Sequence, residues 1–558
     1  MTGGQNSIDR RALIATALAT LVTACSTCPP LDAAPPTRAK MGDSHVHLFN
    51  AADLPVAGFV RFVILPEYLP HIPEVGLALI DAALSVLKAM APSAAAELRQ
   101  NPRDAPPRAF ADRLGNRIDT MARPARQAAT LRPAEDVAHS YAVLGALLEA
   151  ADPTGGAANA TTKSPTGATV DRAFLARVAV EGRAAARPDV GVRAGLSAIP
   201  SVSFAGVRGS DDLGALWDTI KWFYEMVLPR CRHLHDYLAT ISDSEHATDL
   251  IVNLLVDYDA WLGDQPSSGS SMIEQLRFWD RYGAGVADRV TIKTFAGYDP
   301  LRHAEDRLAT PAASLYWDQL KSCLDPPSRG GAPLASGFKI YPPMGFRVSC
   351  NRGHEPERDR SGRLVRQRWD RNGWHIPEFG DRIEDVLDDF FRFCAGRDIP
   401  VVAHGRNSQE ASKGTGEFAS PQYWHERANW VWAQTGRPLR ASIAHWSMTP
   451  EYREWMPKIL ALNVAGKANI FFDIGYTQEF LDGDGPGYLA DLAQVYSPCE
   501  KTAKWLMFGS DWIMLEREPG VKNYLANAVA AIRAVDFWRP HEAPLLRENL
   551  RRFLTPGV

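Results

Sequence analysis

Short apolar runs that each end in polar or ionisable residues recur along this chain, and they constrain its fold more than any other feature. Most of the later runs are separated by segments with helical periodicity, such as "DRIEDVLDDFFRFCAGR" at 381–397. Alternating strands and helices predict an α/β fold, and eight such strands predict a (β/α)8 TIM barrel. In that fold the strand C-termini converge on one face, where active sites are built. The runs are "GDSHVHLF" (42–49), "DLIVNLLVDYD" (249–259), "VTIKTFAGYDP" (290–300), "SGFKIYPPMGF" (336–346), "IPVVAHGRNS" (399–408), "ASIAHWSM" (441–448), "NIFFDIGY" (469–476) and "KWLMFGSDW" (504–512).

The segment between the first and the second run is much longer than the segments between the later runs. We expect the first barrel strand at 41–50 and the rest of the barrel at 246–558, which leaves 51–245 as a large, mainly helical insertion. Amphipathic helical patterns occur within it at 75–90, 136–150 and 216–241. Because the insertion leaves the catalytic end of the first strand, it is predicted to cap the site; the alternative is a packing subdomain on the side of the barrel. A second, arginine-rich insertion at 352–374 is either a solvated loop or a contact for anionic substrate groups.

The N-terminal segment has the layout of a signal peptide. An arginine pair is followed by an apolar stretch and by small residues that end at Cys25, in "IDRRALIATALATLVTAC" (8–25). The arginine pair fits a twin-arginine signal, and "VTAC" resembles the bacterial lipobox, in which the cysteine is lipidated. We therefore expect 1–25 to be the signal, 26–40 a tether, and the exported protein to be a lipoprotein on the periplasmic side of the membrane or at the cell surface. The alternatives are an ordinary cleaved signal with an incidental cysteine and an unprocessed apolar tail.

Composition fits a large globular enzyme. With 46% hydrophobic and 23% charged residues, a chain of 558 residues can bury a substantial core. A net charge of −4 argues against nucleic acid as a partner, so the expected partner is a small-molecule substrate. The seven cysteines show no repeated Cys-x-x-Cys spacing, which predicts neither a zinc ribbon nor a dense disulfide scaffold and leaves a periplasmic disulfide open. The sequence predicts no particular oligomeric state.

Ionisable side chains stand at the ends of several predicted strands. His45 and His47 are two positions apart in a strand, so their imidazoles point to the same face. In a barrel, the polar residues that end later strands point into the same mouth. Imidazole and carboxylate are suitable ligands for zinc, manganese or iron, and such a metal lowers the pKa of water and polarises a carbonyl. The candidate site residues are His45, His47, Lys339, His404, His445 and Asp511.

Five motifs in this order resemble the amidohydrolase superfamily, in particular its amidohydrolase-related (amidohydrolase 2) family of metal-dependent barrel hydrolases and decarboxylases. The motifs are "SHVHLF", "FKIYPPMGF", "VVAHG", "IAHW" and "FGSDW". The resemblance covers the first strand and residues 245–555, whereas 50–245 has no assigned counterpart. It implies a divalent transition metal, zinc before others, as one or two ions. It also implies that His445 joins a second metal or contacts substrate and that Asp511 shuttles the proton of the attacking water, while the implied metal ligands are His45, His47, His404 and Asp511.

Lys339, in the fourth predicted strand, has three alternative roles. The order of "KIYPP", "VAHG" and "AHW" is similar to that in dihydroorotases, where a lysine of the fourth strand is carbamylated and bridges two metals. An unmodified Lys339 would instead bind a substrate carboxylate or be structural. The charged insertion after this strand departs from the dihydroorotase spacing. The number of metal ions stays open at this stage.

Three functions are compatible with these residues and this resemblance. The first is a metal-dependent hydrolase of amides, lactones or esters, in which Asp511 accepts the proton of the attacking water and His445 stabilises the oxyanion. The second is a decarboxylase or other lyase on the same barrel, and the third is a surface lipoprotein without activity. A serine hydrolase is disfavoured because "FGSDW" is not a Gly-x-Ser-x-Gly elbow. Aromatic residues near the mouth either form an apolar pocket or pack beside the strands, and they are Tyr341, Trp374, Trp446 and Trp512.

Overall fold

The computed structural model describes the barrel strands and most of the segments that join them. The described residues are 38–59, 91–99, 162–163, 169–170, 226, 228–262, 269–309, 313–326, 331–354, 378–406, 414–518 and 520–556. The predicted signal with Cys25, the predicted helices 75–90 and 136–150, and Trp374 lie outside these residues. The chain divides into two compact units, and the larger unit contains the described residues 38–49, 53–59 and 234–556.

The larger unit is a barrel whose strands follow one another in chain order. Within the described residues, eight parallel strands form one sheet, and each is hydrogen-bonded to the next along the sequence. A parallel bridge between Val46 and Trp512 joins the end of the first strand to the segment that follows the last strand, so the two edges of the sheet meet. The predicted (β/α)8 TIM barrel is therefore confirmed, with all of its strands. The strands are β1 (Ala39–Val46), β2 (His246–Leu254), β3 (Thr291–Gly297), β4 (Gly337–Ile340), β5 (Val401–Ala403), β6 (Leu439–Ile443), β7 (Ala468–Asp473) and β8 (Leu506–Met507).

The first strand begins slightly earlier than the sequence predicts. Ala39 and Lys40 pair with the first two residues of β2, so the end of the predicted tether 26–40 belongs to the sheet. The strand ends at Val46, which leaves His47 just beyond its last residue. The predicted boundary of 41–50 is therefore displaced towards the N-terminus at both ends of the strand.

Helices follow most of the strands, as the periodicity predicts. The helix after β4 spans Phe379–Arg397 and contains the predicted segment 381–397. The helix after β2 spans Met272–Gly285 and begins with a capping box formed by Ser271 and Glu274. An N-cap of this kind contributes about 1 kcal/mol to the stability of the helix. The other described α-helices are Val56–Phe59, Ala94–Arg99, Arg230–Thr240, Asp259–Leu262, Pro300–Ala309, Leu315–Ser322, Pro421–Thr435, Pro450–Val464, Gln478–Asp482, Gly485–Tyr496, Tyr524–Ala534 and Asn549–Leu554.

An aromatic cluster packs the helix Phe379–Arg397 against the barrel wall. The ring of Phe390 stacks on Tyr298, which follows β3, with centroids 4.0 Å apart, and lies 5.2 Å from Phe338 of β4. Phe338 and Phe390 are fully buried. Burying an aromatic side chain of this size contributes about 1.5–3 kcal/mol, so this cluster fixes the position of β3 and β4 beneath the mouth of the barrel.

The smaller unit contains the described residues 50–52, 91–99, 162–163, 169–170 and 226–233 except 227. The guanidinium of Arg230 is fully buried and pairs with the carboxylate of Glu97 at 2.5 Å. Residues Thr162–Lys163 and Thr169–Val170 form a short antiparallel pair. No helix in the described part of the whole chain is long and apolar enough to cross a membrane.

Candidate metal centre

The first and last strands bring Asp511 next to two histidines. Where the sheet edges meet, the backbone N–H of Asp511 donates to the carbonyl of His45 at 2.8 Å. The imidazoles of His45 and His47 point to the same face, and their Nε2 atoms are 3.1 Å apart. Asp511 Oδ1 lies 3.3 Å from Nε2 of His45 and 3.4 Å from Nε2 of His47. Three polar atoms therefore converge on one point in the mouth of the barrel.

The outer nitrogens of these two imidazoles are already hydrogen-bonded. Nδ1 of His47 is 2.7 Å from the carbonyl oxygen of Leu254, and Nδ1 of His45 is 3.2 Å from Oδ2 of Asp473. A carbonyl and a carboxylate only accept hydrogen bonds, so Nδ1 carries the proton in both rings. Burial lowers the pKa of His45 and of His47, which keeps both rings neutral and leaves a lone pair on each Nε2. The Nε2 lone pairs of His45 and His47 and the Oδ1 atom of Asp511 therefore face one another, and none of these three atoms carries a proton.

His445 enters the centre from the end of β6 through a backbone turn that is rare for a non-glycine residue. Its φ is 59°, and that of Asp511 is 60°, both in the left-handed region. The N–H of His445 donates to Oδ1 of Asp473 at 3.0 Å, and its Nδ1–H donates to the carbonyl of Gly475 at 3.1 Å. Its ring centroid lies 4.5 Å from that of His45. Such backbone conformations cost of order 1–3 kcal/mol each and are typical of functional sites.

His404, just after β5, lies on the other side of His445. Their ring centroids are 4.6 Å apart. Nε2 of His404 is buried and has no hydrogen-bond partner in the described part of the chain. Burial lowers the pKa of His404, and the neighbouring His445 and Lys339 lower it further, so the ring is neutral. A buried nitrogen without a partner is costly, and a ligand that takes its lone pair removes that cost.

Lys339, on β4, extends into the same mouth. Its Nζ atom is 3.3 Å from Nε2 of His45, and the side chain is 1% exposed. Burial lowers the pKa of Lys339 to about 8, although the carboxylates of Asp511 and Asp473 raise it. The contact matches an ammonium group that donates to the lone pair of His45. Whether Lys339 carries a carbamate, binds a substrate carboxylate or is structural stays a prediction.

The donor set fits a divalent transition metal. His45, His445 and Asp511 are buried, and each offers one ligand atom within 4.8 Å of the others. Neutral imidazoles and a carboxylate are typical zinc ligands. The other predicted residues, His47, His404 and Lys339, lie at the same mouth, and the assignment of a ligand or catalytic role to each of the six stays a prediction.

Two buried aspartates belong to this centre and are absent from the sequence-based set. Asp473 ends β7 and bonds His45 and His445, as described above. Asp43, on β1, accepts the N–H groups of His45 at 2.9 Å and Ser510 at 3.0 Å, and the hydroxyl of Tyr237 at 3.0 Å. Burial raises the pKa of Asp43 to about 7, against the effect of these bonds. A sequence signal could have found both aspartates, because each is an acidic residue inside an apolar run that is predicted to be a strand. Exposure to solvent does not explain an acidic residue at such a position.

The aromatic residues predicted near the mouth have different surroundings. The ring of Tyr341 lies 4.4 Å from that of His404, at the edge of the centre. Trp446 is buried against Phe472, with ring centroids 5.6 Å apart, and Trp512 is fully buried. Tyr341 is therefore placed beside the site, whereas the two tryptophans pack in the protein interior.

No family model matches the chain, and no curated protein matches it. Among solved structures, an uncharacterised TIM-barrel protein from Bordetella bronchiseptica is 12% identical, with a TM-score of 0.34, over 62% of this chain and 90% of that one. A probable 2-pyrone-4,6-dicarboxylic acid hydrolase from Acinetobacter baumannii, with citric acid bound, is 13% identical, with a TM-score of 0.29, over 58% of this chain and 86% of that one. Both TM-scores are low, and neither similarity bears on what this chain does.

Proposed function

We propose that this chain is a metal-dependent hydrolase of the amidohydrolase type, acting on an amide, lactone or ester carbonyl. The observation that carries the proposal is the convergence of the His45 and His47 lone pairs and the Asp511 carboxylate on one buried point. Electron-pair donors held this close repel one another unless a cation offsets the repulsion; the ammonium of Lys339 meets Nε2 of His45 at 3.3 Å, whereas a metal ion would serve all three donors at once. A divalent transition metal, zinc before others, is the cation that this donor set suits best.

The side chains have distinct tasks in this proposal. When bound, the metal polarises a carbonyl oxygen and lowers the pKa of water. His45 and His47 hold the metal through Nε2, and their bonded Nδ1–H groups keep the rings in the orientation that this requires. Asp511 accepts the proton of the attacking water through its carboxylate, whose Oδ1 faces the imidazoles.

The hydrogen bond of His445 bears on its role in the centre. Nδ1–H of His445 donates to the carbonyl of Gly475, so Nε2 is the nitrogen left to face the centre. The ring lies with His45 and Asp511 in the group that could hold one metal ion. We therefore assign His445 to the ligand set, and the ammonium of Lys339 is the cationic group available to a developing oxyanion or a substrate carboxylate.

The test measures metal content and hydrolysis together in a variant that lacks one imidazole. Wild-type protein should contain transition metal by elemental analysis and should hydrolyse members of a panel of esters, lactones and amides. His47→Ala deletes one lone pair, so it should lose most of the metal and the activity while remaining folded. The matched control is His246→Ala, because His246 is also buried but begins β2, at the opposite end of the barrel, and bonds Asp243.

Two results would change the proposal. Full metal occupancy in His47→Ala would show that the metal lies elsewhere. Release of carbon dioxide from carboxylic acids, without hydrolysis of any panel member, would replace the hydrolase with the decarboxylase alternative on the same barrel.

We also propose that the protein is exported and anchored to a membrane through a lipid on Cys25. The arginine pair, the apolar stretch and "VTAC" support this proposal. Cys25→Ser should abolish incorporation of a labelled fatty acid. Cys350→Ser is the control, since it removes a free, exposed cysteine outside the predicted signal and should keep the label. Undiminished label in Cys25→Ser would mean that the lipobox is wrongly assigned.

A further inference from the structure

The carboxylate at the end of β7 contacts two histidines of the centre with different oxygens. Asp473 is completely buried. Its Oδ2 lies 3.2 Å from Nδ1 of His45. Its Oδ1 accepts the backbone N–H groups of His445 and Gly475, each at 3.0 Å. One oxygen therefore fixes the backbone at the ends of β6 and β7, and the other is left to a single imidazole.

Gly475 completes this arrangement. A Cβ atom at this position would lie 3.0 Å from Oδ1 of Asp473, 3.5 Å from Nδ1 of His445 and 3.6 Å from Nδ1 of His45. The absence of a side chain lets the end of β7 approach both rings, and the carbonyl of Gly475 accepts the Nδ1–H of His445. The segment Asp473–Gly475 thus holds the Nδ1 proton of both imidazoles through two acceptors that cannot donate.

We propose that Asp473 is the positioning residue that selects the metal-binding tautomer of His45. By accepting from Nδ1, it leaves the lone pair on Nε2, which is the nitrogen that faces His47 and Asp511. The inference rests on the metal-dependent function proposed above, and it adds a residue on β7, which contributes none of the six predicted site residues. It concerns where a proton sits on the ring, which can be measured in the absence of any metal.

Asp473→Asn reverses the hydrogen bond without changing the shape of the side chain. The two backbone N–H groups that Oδ1 accepts force the amide oxygen of the variant into that position. The amide NH2 group then occupies the place of Oδ2 and donates to Nδ1 of His45. The ring can accept this bond only if its proton moves to Nε2, where it blocks metal binding and faces Asp511 Oδ1 at 3.3 Å.

The experiment compares Asp473→Asn with Asp43→Asn. Asp43 is also a fully buried carboxylate that accepts the N–H of His45, but it bonds the backbone and Tyr237 rather than an imidazole. Both variants replace a buried carboxyl group near the centre with an amide, and only Asp473→Asn reverses the bond to the ring. The tautomer is read from long-range ¹H–¹⁵N correlation spectra of metal-free, ¹⁵N-histidine-labelled protein, with the His45 signal assigned by His45→Gln. Zinc affinity is measured by competition with a chelating dye.

We expect Nδ1–H in wild-type protein and in Asp43→Asn, and Nε2–H in Asp473→Asn. Zinc affinity should fall about 10- to 100-fold in Asp473→Asn, the usual consequence of losing the partner of a ligating histidine, and clearly less in Asp43→Asn. An unchanged tautomer in Asp473→Asn would overturn the inference, and so would equal losses of affinity in the two variants.

The outcome separates this inference from the proposed function. If wild-type protein binds no transition metal, the proposed function fails, and the tautomer spectra of the metal-free variants still decide the role of Asp473. If Asp473→Asn does not fold, the spectrum of metal-free wild-type protein is the second measurement, because the hydrogen bond to Asp473 requires Nδ1–H on His45. A proton on Nε2 of His45 in wild-type protein would overturn the inference.

Discussion

Two buried clusters of charged residues, the centre at the barrel mouth and a cluster around Arg427, differ in how their polar atoms are matched. The guanidinium of Arg427 donates to Asp388 at 2.5 Å, to Glu384 at 2.8 Å and to the carbonyl of Val348 at 2.6 Å. The second oxygen of Glu384 accepts two bonds from Asn351. Each negative group in this cluster faces a donor, so the cluster is complete without a ligand.

The centre at the mouth has the opposite arrangement. The imidazoles of His45 and His47 donate their Nδ1 protons to groups outside the centre. Their Nε2 lone pairs point inward, towards each other and towards Asp511. Both regions are buried and rich in charge, so burial and charge alone do not distinguish a structural cluster from a binding site. The difference lies in the balance of donors and acceptors: a buried group with excess acceptors requires a cation, and a balanced one does not.

The largest expected effect separates chemistry from metal binding at the mouth. Asp511→Asn keeps an oxygen ligand but cannot take a proton at neutral pH, so kcat should fall by about two to four powers of ten while part of the metal is retained. Steady-state kinetics with elemental analysis of the same samples measures both. Asp491→Asn, which alters an exposed ion pair with Arg453, is the control and should leave kcat unchanged. A near wild-type kcat in a metal-loaded Asp511→Asn variant would remove Asp511 from the role of base.

A change at the other cluster should affect stability and leave the metal in place. Arg427→Ala leaves Glu384 and Asp388 buried without their cation, which should lower the free energy of unfolding by about 3–5 kcal/mol. Metal content per folded molecule should not change. Chemical denaturation measures the loss, and Arg453→Ala, at an exposed pair, should cost less than about 1 kcal/mol. Loss of metal from folded Arg427→Ala would show that the two clusters are not independent.

The smallest expected effect concerns pH. Burial lowers the pKa values of His45 and His47 below 6.5, so in metal-free protein the unfolded chain takes up protons below this pH that the folded chain does not. The free energy of unfolding should therefore fall as the pH is lowered from about 6.5, by about 1.4 kcal/mol per pH unit for each histidine that stays neutral. In metal-free His47→Gln, the free energy of unfolding should depend less steeply on pH, by about 1.4 kcal/mol per pH unit. Chemical denaturation at several pH values measures this dependence. An unchanged slope would mean that His47 is protonated in the folded protein.

The barrel could be predicted because its signal is local. His404 and His445 each end an apolar run, and the position of such a residue at the mouth depends only on its own strand. The beginning of β1 was not predicted, because Ala39 and Lys40 have no apolar alternation and are held by their pairing with β2.

The link between Asp473 and His45 could not be predicted from local patterns. The two residues are 428 positions apart and lie on strands that do not pair, so their contact depends on the closure and register of the whole barrel. The tautomers follow from that contact. For the same reason the sequence leaves open whether Trp446 and Trp512 line a pocket or pack, since the direction of each ring is set by the turn at the end of its strand.

The meeting of the two sheet edges at the metal centre has a consequence for biosynthesis. The contacts that join them connect residues far apart in the chain, as between Asp43 and Ser510, which are 467 positions apart. At about 5–20 residues per second, a ribosome needs roughly 20 to 90 s to travel from one to the other. During that time the nascent chain carries His45 and His47 but no Asp511. The complete donor set therefore comes into existence only when the C-terminal strand has emerged and joined β1.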